Sequence, residues 1–396
     1  MKVVVTGGGS GGHITPALAV AYELKQIRPD VEISYIGQAG DSLLDVPAQD
    51  KNIDHLYTVR AGKFRRYHGE GWKQILDVKT MYLNLRDAFF VLVGVWQSFK
   101  LLGKIRPDVI FTRGSFVSVP VCLAAKLRGI PYITHDSDAI PSLANRIIAP
   151  WASVHAVALP KDVYPSYPPE KTVTVGVPIS GAFHPLTAAE VAKGRTQLHL
   201  TEATQVLLIT GGGLGAQRVN HAAIAAVPEL LKRYPGLEVV HIAGRKEEAG
   251  VRQQYRQALP PAQQERVSVK GFIPNMHQYS GVADVIVTRA GGTSIAEFAA
   301  QGKACVVVPA PHLTGGHQLK NAKVLADRKA VRLVNESTLQ EDPHALMPPL
   351  TDLFDHPEKI VALGKKLAQF AQPNAAHLLA MVLLEIVDGV PTRAQS

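Results

Sequence analysis

The stretch that decides the fold is Val3–Leu24, VVVTGGGSGGHITPALAVAYEL, and it has a counterpart at Val206–Val227, VLLITGGGLGAQRVNHAAIAAV. Each opens with a β-branched apolar run, breaks at a cluster of glycines and continues with helical composition. That is a strand entering a tight turn and then a helix, the opening unit of a parallel sheet covered by helices. Two such openings in one chain indicate an internal duplication of architecture. The 396 residues are long enough for two domains of this kind.

Outward from these openings, short apolar runs alternate with longer helical stretches. Expected strands in the first half are Lys2–Thr6, Glu32–Ile36, Val109–Phe111, Tyr132–His135 and Val154–Ala158. In the second half they are Gln205–Thr210, Glu238–Ala243, Val267–Lys270, Val285–Thr288 and Ala304–Val308. Six prolines between Pro160 and Pro185 mark a connection. The expected division is an N-terminal Rossmann-like domain over 1–165, a linker over 166–185, a C-terminal Rossmann-like domain over 186–370, and a helical end over 371–396 that could return to the first domain. The expected fold class is α/β, with two Rossmann-like domains facing across a cleft.

Composition narrows the chemistry. Cys122 and Cys305 stand far apart outside any C-x-x-C context, which argues against a disulfide scaffold or a thiolate zinc site. The opening MKVVVTGGGSGGH is a strand and turn rather than a secretory signal. The net charge of +9 admits nucleic acid, an anionic membrane or a phosphorylated substrate. Between Arg60 and Arg106 there are ten Lys/Arg against three acids, interleaved with Trp72, Leu85, Phe89, Leu92 and Trp96. The apolar run Ala88–Trp96 is far shorter than the roughly 20 residues of a spanning helix. Basic residues beside an apolar helical face suit an anionic lipid surface; they equally suit a helix packed on its own sheet with a solvated rim.

Four motifs carry chemistry. The first, Gly7-Gly8-Gly9-Ser10-Gly11-Gly12-His13, brings backbone amides and a helix N-terminus to an anion. It satisfies the dinucleotide fingerprint through Gly7, Gly9 and Gly12. It also spells the hydrolase elbow at Ser10, but an elbow does not follow the very first strand. The second, Gly211 to Gln217, repeats that context, with Gly213 a candidate substrate-binding residue. The third runs from Thr288 to Glu297. Glycine and small residues lead into a helix at Gly292, Thr293 and Ser294, and Glu297 one turn on can accept hydrogen bonds from a ribose diol. The fourth, Pro309 to Ala322, puts Gln318 and Asn321 on one helical face. His312 and His317 have no third ligand at metal spacing. Asp136-Ser137-Asp138 spells D-x-D, a metal–diphosphate motif of another fold. Helix N-termini can neutralise a diphosphate without a metal, so no metal or other cofactor is expected.

In order along the chain, GGGSGGH, GSFVSVP (Gly114–Pro120), HDSDAIPSLANR (His135–Arg146), GGGLGAQRVN, RAGGTSIAE (Arg289–Glu297) and PHLTGGHQLKNA (Pro311–Ala322) resemble the murein-synthesis glycosyltransferase family. The resemblance spans Val3 to about Ala330. It implies a GT-B type fold and an inverting transfer of N-acetylglucosamine from UDP-N-acetylglucosamine to lipid-linked N-acetylmuramyl-pentapeptide. It implies Ile273 near the uracil, Glu297 on the ribose, amides of Gly292, Thr293 and Ser294 on the diphosphate, and Gln318 on the sugar. It further implies an acceptor diphosphate against Gly9–His13, with Ser10, Gly11 and Gly12 in contact and with Asp138 and Asn145 at the cleft. Arg60–Trp96 resembles the family's membrane patch, which implies a peripheral protein on the cytoplasmic side of the cell membrane. Nucleic acid is not an expected partner. The chain departs from the family at Asp136, Ser137 and Asp138 (Glu, Gln, Asn), at Gly213 (Ser), at Ser180 (Arg) and at Gly315-Gly316 (an acidic pair). His13 is the first candidate for the base that takes the acceptor proton, since imidazole titrates near neutrality; Asp136 is the second. The alternatives are a transferase with another UDP-sugar or lipid acceptor, a sugar-nucleotide epimerase or hydrolase on the same fold, an NAD enzyme and a non-catalytic binding homologue.

Overall fold

The computed structural model describes residues 1–8, 11–41, 43–62, 78–200, 202–212, 216–311 and 316–390, the side chains of 11–13 and 78–82 excepted. The chain forms two compact units, Met1–Ser180 with Gln372–Ser396, and Gly181–Ala371.

The first unit holds strands β1 (Lys2–Thr6), β2 (Glu32–Gln38), β3 (His55–Val59), β4 (Val109–Thr112), β5 (Tyr132–Asp136), β6 (Val154–Val157) and β7 (Thr172–Thr174). They make one parallel sheet in the order β3-β2-β1-β4-β5-β6-β7. Its helices are α1 (Gly11–Ile27), α2 (Asp45–Ala48), α3 (Val78–Ile105), α4 (Ser118–Arg128) and α5 (Leu143–Ile148). The alternation of β1 sorts them. Val3 and Val5 pack with Ile14, Ala17 and Leu24 of α1. Val4, on the other face, packs in the core that holds Leu102 of α3 and Val121 and Ala125 of α4.

The second unit repeats the plan. Strands β8 (Gln205–Thr210), β9 (Leu237–Ile242), β10 (Val267–Lys270), β11 (Val285–Thr288), β12 (Ala304–Val307) and β13 (Arg332–Leu333) form a parallel sheet ordered β10-β9-β8-β11-β12-β13. The helices are α6 (Ala188–Gln197), α7 (Gln217–Arg233), α8 (Glu248–Ala258), α9 (Pro261–Gln264), α10 (Met276–Val282), α11 (Gly292–Ala300), α12 (His317–Asp327), α13 (Glu336–Glu341), α14 (Met347–Phe354) and α15 (Pro357–Ala368). Leu207 and Ile209 pack against α7 and α14. Val206 and Leu208 share a core with Phe298 of α11, Leu325 of α12 and Leu367 of α15.

The last helix, α16 (Ala375–Val387), belongs to the first unit. Leu379, Leu383 and Val382 are buried in the core of Val3 and Val5. Arg28 pairs with Asp388 at 2.9 Å, a half-exposed contact that fixes position more than it adds stability.

Every expected strand is present, with ends that differ by one or two residues. Three further strands, β3, β7 and β13, were not read from the sequence. All lie at sheet edges, and none carries a continuous buried apolar run. The expected linker 166–185 is not a free connection: Thr172 pairs with His155 across β6 and β7, and the division falls at Ser180. The apolar run Ala88–Trp96 also proves to be part of something longer. The helix that carries it continues to Ile105, and Leu83–Ile105 is long and apolar enough to cross a membrane by length and composition. That helix nevertheless packs against its own unit: a side chain at Gly94 would collide with the Arg60 carbonyl, and Leu102 is buried in the α4 core.

Candidate functional site

Each sheet reverses direction once. In the second unit the chain steps outward from β8 to β9 and β10, then returns to place β11 on the other side of β8. The carboxyl ends of two strands that leave in opposite directions form a natural crevice in α/β sheets. Here those ends are Thr210 and Thr288, paired in register. Gly211-Gly212 follows the first and Arg289–Gly291 the second.

Both turns are built to be bare. Gly212 sits at φ +81°, where a side chain is strained, and it donates its amide to Thr210 Oγ1 at 3.2 Å. A Cβ at Gly212 or Gly291 would meet nothing within 4 Å. Gly291 caps α11 in an extended conformation without a side-chain cap, and the first helical bond runs from Ile295 to the Gly291 carbonyl at 3.0 Å. The amides of Gly292, Thr293 and Ser294 therefore have no acceptor within the helix and point outward at its positive end.

One turn further, Glu297 is largely buried. Burial alone moves its carboxyl from 4.5 up to about 7. Among the described residues no cation or hydrogen-bond donor meets that carboxylate. An ionisable group held in low dielectric without a partner marks a ligand contact more often than a structural tie. Ile273 is buried in the same core as Ile295, and Phe272 beside it is about half exposed with the Arg245 guanidinium 4.8 Å from its ring centre. Gln318 is 7% exposed, and its Oε1 accepts from the Ala310 amide at 3.0 Å. Its Nε2 has no partner among the described residues. The structure thus groups Gly292, Thr293, Ser294 and Glu297 on α11; Gly213 lies outside the described residues.

Three further residues hold this loop in place. Asn321 Nδ2 donates to the Ala290 carbonyl at 2.9 Å, and Arg289 Nη1 to the Val308 carbonyl at 3.1 Å. Buried Glu336 at the start of α13 pairs with both Arg289 and Arg218. Arg289 stood in a motif already marked. Glu336 had no local signal.

In the first unit, the ends of β4 and β5 are tied together. Ser142 caps α5 by accepting from the Asn145 amide at 3.0 Å, and its hydroxyl donates to the Gly114 carbonyl at 2.9 Å. Gly114 lies at φ +73°, and a Cβ there would stand 2.5 Å from both Asn145 and Ser142 side chains. Asn145 is fully buried, with Nδ2 donating to the His135 carbonyl at 3.0 Å. It thereby ties the start of α5 to the end of β5. His135 is held down to about 3 by burial and by nearby Arg113, so its imidazole stays neutral and bonds the Gly176 carbonyl at 2.7 Å.

Asp136 is engaged in the same region. Its carboxylate is 4% exposed; Oδ2 accepts from Tyr167 Oη at 2.6 Å and Oδ1 from the Ser142 amide at 3.0 Å. Burial raises its pKa against these bonds. A carboxylate committed on both oxygens is a brace, not a base at a substrate, and it is not free to chelate with Asp138. Asp138 and Asp136 face Arg113, whose guanidinium is buried, bonds the Ser137 hydroxyl and falls to about 10 because burial outweighs both acids. Of the first glycine turn, Gly9 and Ser10 lie outside the described residues, as do the side chains of Gly11, Gly12 and His13; the backbone of Gly11–His13 opens α1.

The outer surface of the first unit carries a further feature. Leu85, Phe89, Leu92 and Trp96 on α3 are each more than half exposed, at spacings of 4, 3 and 4 that align them on one face. Phe99 extends the line. Lys100 Nζ lies 3.8 Å from the Trp96 ring centre, and the Arg128 guanidinium 3.9 Å from that of Phe99. The small and polar residues Asp87, Gly94 and Ser98 face inward instead. This inverts the usual helix on a sheet.

Two parallel sheets, each with a glycine turn after its first strand, and a bare helix start with an unpaired carboxylate define a two-domain nucleotide-sugar enzyme of the α/β class. Residues 3–157 match the glycosyltransferase family 28 N-terminal domain and residues 206–379 its C-terminal domain. The chain belongs to glycosyltransferase family 28. It is 31% identical over 389 residues to the UDP-N-acetylglucosamine--N-acetylmuramyl-(pentapeptide) pyrophosphoryl-undecaprenol N-acetylglucosamine transferase of Moorella thermoacetica, covering 98% of this chain and all of that one. It is 29% identical over 388 residues to the protein of the same name from Natranaerobius thermophilus, with the same coverage. The crystal structure of Acinetobacter baumannii MurG superposes with a TM-score of 0.71 at 25% identity, over 97% of this chain and 99% of that one. The Neisseria meningitidis UDP-GlcNAc 2-epimerase bound to UDP-GlcNAc shares the fold, with a TM-score of 0.67 at 16% identity over 97% of this chain and all of that one.

Proposed function

We propose that this chain transfers N-acetylglucosamine from UDP-N-acetylglucosamine to a lipid-linked N-acetylmuramyl-pentapeptide, with inversion at the anomeric carbon. The observation that carries the reading is α11: unclaimed amides at its first turn and, one turn on, a buried carboxylate with no partner among the described residues. A nucleotide sugar offers the matching pair, a diphosphate for the amides and a ribose diol for Glu297.

In this reading Ile273 lies by the uracil, Gly292, Thr293 and Ser294 bind the diphosphate through their amides, Glu297 accepts from the ribose hydroxyls, and Gln318 Nε2 donates to the sugar. Gly212 in the second glycine turn leaves open space through which the nucleotide can approach, and Gly213 contacts the substrate. As the glycosidic bond breaks, charge grows on the leaving UDP, where the α11 amides and helix dipole stabilise it. The acceptor diphosphate rests on the first glycine turn, at Ser10, Gly11 and Gly12. His13 takes the proton from the attacking hydroxyl. Asp138 lies toward the acceptor, while Asp136 and Asn145 hold that region in shape.

The lipid of the acceptor requires that the enzyme work at a membrane. The exposed α3 stripe, flanked by Arg86, Lys100, Lys104 and Arg128, suits a peripheral position on an anionic cytoplasmic leaflet, with the aromatics at headgroup depth.

The test is turnover: UDP release with a lipid-linked muramyl-pentapeptide acceptor, comparing UDP-N-acetylglucosamine with UDP-N-acetylgalactosamine and UDP-glucose. The expected result is acceptor-dependent release from the N-acetylglucosamine donor. Acceptor-independent C2 epimerisation, or binding of NAD in preference to uridine nucleotides, would overturn the proposal.

A further inference from the structure

On the α5 side of the first unit, a pocket of about 280 Å³ opens between the end of α5 and the segment before β7, lined among others by Arg146, Pro150, His155, Ser166, Tyr167 and Lys171. The proposed transfer uses none of these residues. A water occupies about 30 Å³, so the pocket has room for a small anion with its solvent.

Its polar groups are unusual in what they lack. Arg146 and Lys171 are exposed, and neither side chain forms an ion pair or hydrogen bond among the described residues. His155 is 2% exposed and lines the pocket. Its Nδ1 is 3.0 Å from Thr134 Oγ1, and its ring stacks on Tyr167 at 4.1 Å with 6° between the planes. The Tyr167 hydroxyl is in turn bonded to Asp136, so the imidazole is clamped in plane and along its edge. Its Nε2 meets no partner among the described residues. A Thr134 hydroxyl that donates to Nδ1 leaves the ring proton on Nε2. As a pocket-lining group, His155 can offer Nε2 to a bound acceptor.

We propose that this pocket binds a phosphate-bearing anion, held by the charges of Arg146 and Lys171, the Ser166 hydroxyl and His155 Nε2–H. Two cations and two neutral donors lining one pocket suit an oxyanion, and among the described residues no carboxylate lines it. Burial and Lys171 hold the imidazole at about 4, so it acts as a neutral donor near pH 7. The phosphate has two possible sources, a soluble phosphorylated compound or the headgroup of an anionic phospholipid. Trp151, 44% exposed, directly follows Pro150 at the rim, a residue type that favours the membrane interface.

The experiment uses the full chain labelled with ¹³C,¹⁵N-histidine. Inorganic phosphate is titrated by NMR and calorimetry. Flotation is measured with phosphatidylcholine vesicles with and without phosphatidylglycerol. Wild type is compared with Arg146→Ala/Lys171→Ala and with Lys193→Ala, which removes a charge elsewhere. Phosphate should shift the His155 ring signals saturably and raise their titration midpoint. The double variant should lose at least about tenfold in phosphate affinity, while Lys193→Ala keeps it. A phosphate response without a vesicle effect assigns the site to soluble phosphates. Loss of phosphatidylglycerol-dependent flotation in the double variant assigns it to headgroups. The proposal falls if His155 ignores phosphate and the double variant floats as wild type does. It falls equally if the double variant responds to phosphate as wild type does. Either result leaves the transferase reading untouched, because that reading rests on α11.

Discussion

Replacing Glu297 with Gln separates what this residue does for the fold from what it does for the donor. In the free protein its carboxyl titrates near 7 rather than 4.5, because burial disfavours the charge and nothing nearby compensates. The folded state therefore holds this proton more tightly than the unfolded state. The sign follows: stability from this group is greatest below about pH 4.5 and is lost as pH rises to 7 and beyond. The rise from 4.5 to about 7 corresponds to roughly 3 kcal/mol as an upper bound. Glu297→Gln keeps the shape and removes the charge. At pH 8 the second unit should melt several degrees higher than wild type, since a domain of this size shifts about 2–4 °C per kcal/mol. At pH 5 the two should melt alike. Donor binding runs the other way. Ribose hydroxyls bond best to the ionised carboxylate, so wild-type affinity for UDP-N-acetylglucosamine should rise with pH through 7 and then level off. Glu297→Gln should bind roughly 30–300 times more weakly at pH 8, from the loss of about 2–3.4 kcal/mol in charge-assisted bonds, and its affinity should be flat with pH. UDP-N-acetylglucosamine is the right ligand because its diphosphate diester does not titrate in this range. The assays are scanning fluorimetry and calorimetry from pH 5 to 8.5. A variant that is no more stable at pH 8 and binds the donor as wild type does would mean that Glu297 is an ordinary surface acid and that α11 has been misread.

Other parts of the site make their own demands. His13→Ala should lower kcat by about 10²–10⁴ while leaving UDP-N-acetylglucosamine affinity near wild type; calorimetry beside a UDP-release assay separates the two. Gly114→Ala should destabilise the first unit by more than about 2 kcal/mol, because φ +73° is strained and the new methyl would stand 2.5 Å from Asn145 and Ser142; urea unfolding measures it. Tyr167→Phe should cost about 1–3 kcal/mol in urea unfolding, since buried Asp136 loses a 2.6 Å donor. Leu92→Glu with Trp96→Glu should abolish co-sedimentation with anionic vesicles and leave donor affinity unchanged.

How much of this was legible in the sequence depended on burial. β1, β8 and β11 are covered on both faces, so each shows an unbroken apolar run. β3 exposes His55, Leu56 and Thr58, and its composition could equally belong to a loop. The glycine turns were legible because bare backbone has few other uses, and Glu297 because it stands one turn past them. Asp136 was visible as a carboxylate, but its role was not. Tyr167 neutralises it as a candidate base from 31 positions away, and nothing local announces that contact. The same holds for Asn145, since a polar residue in a motif does not say whether it faces ligand or core. Glu336 likewise gains its meaning only where β12, β13 and α13 bring it to Arg289.

Helix α3 shows why a single feature should be weighed together with its packing. By length and composition it qualifies as a spanning segment. A spanning helix would have to leave the unit, yet Gly94 lies close to the Arg60 carbonyl and Pro120, and the Arg128 guanidinium fills the space beside Gly103. Those contacts suit a helix that stays docked and turns its large side chains outward. The small residues on its inner face let it sit close to α4, and that closeness leaves Leu85, Phe89, Leu92 and Trp96 standing clear of the sheet. The outward stripe and the glycine contacts are thus two sides of one arrangement. A docked helix of this kind can hold the unit at a bilayer surface while the sheet beneath keeps its strand ends in water, where a soluble nucleotide sugar must arrive.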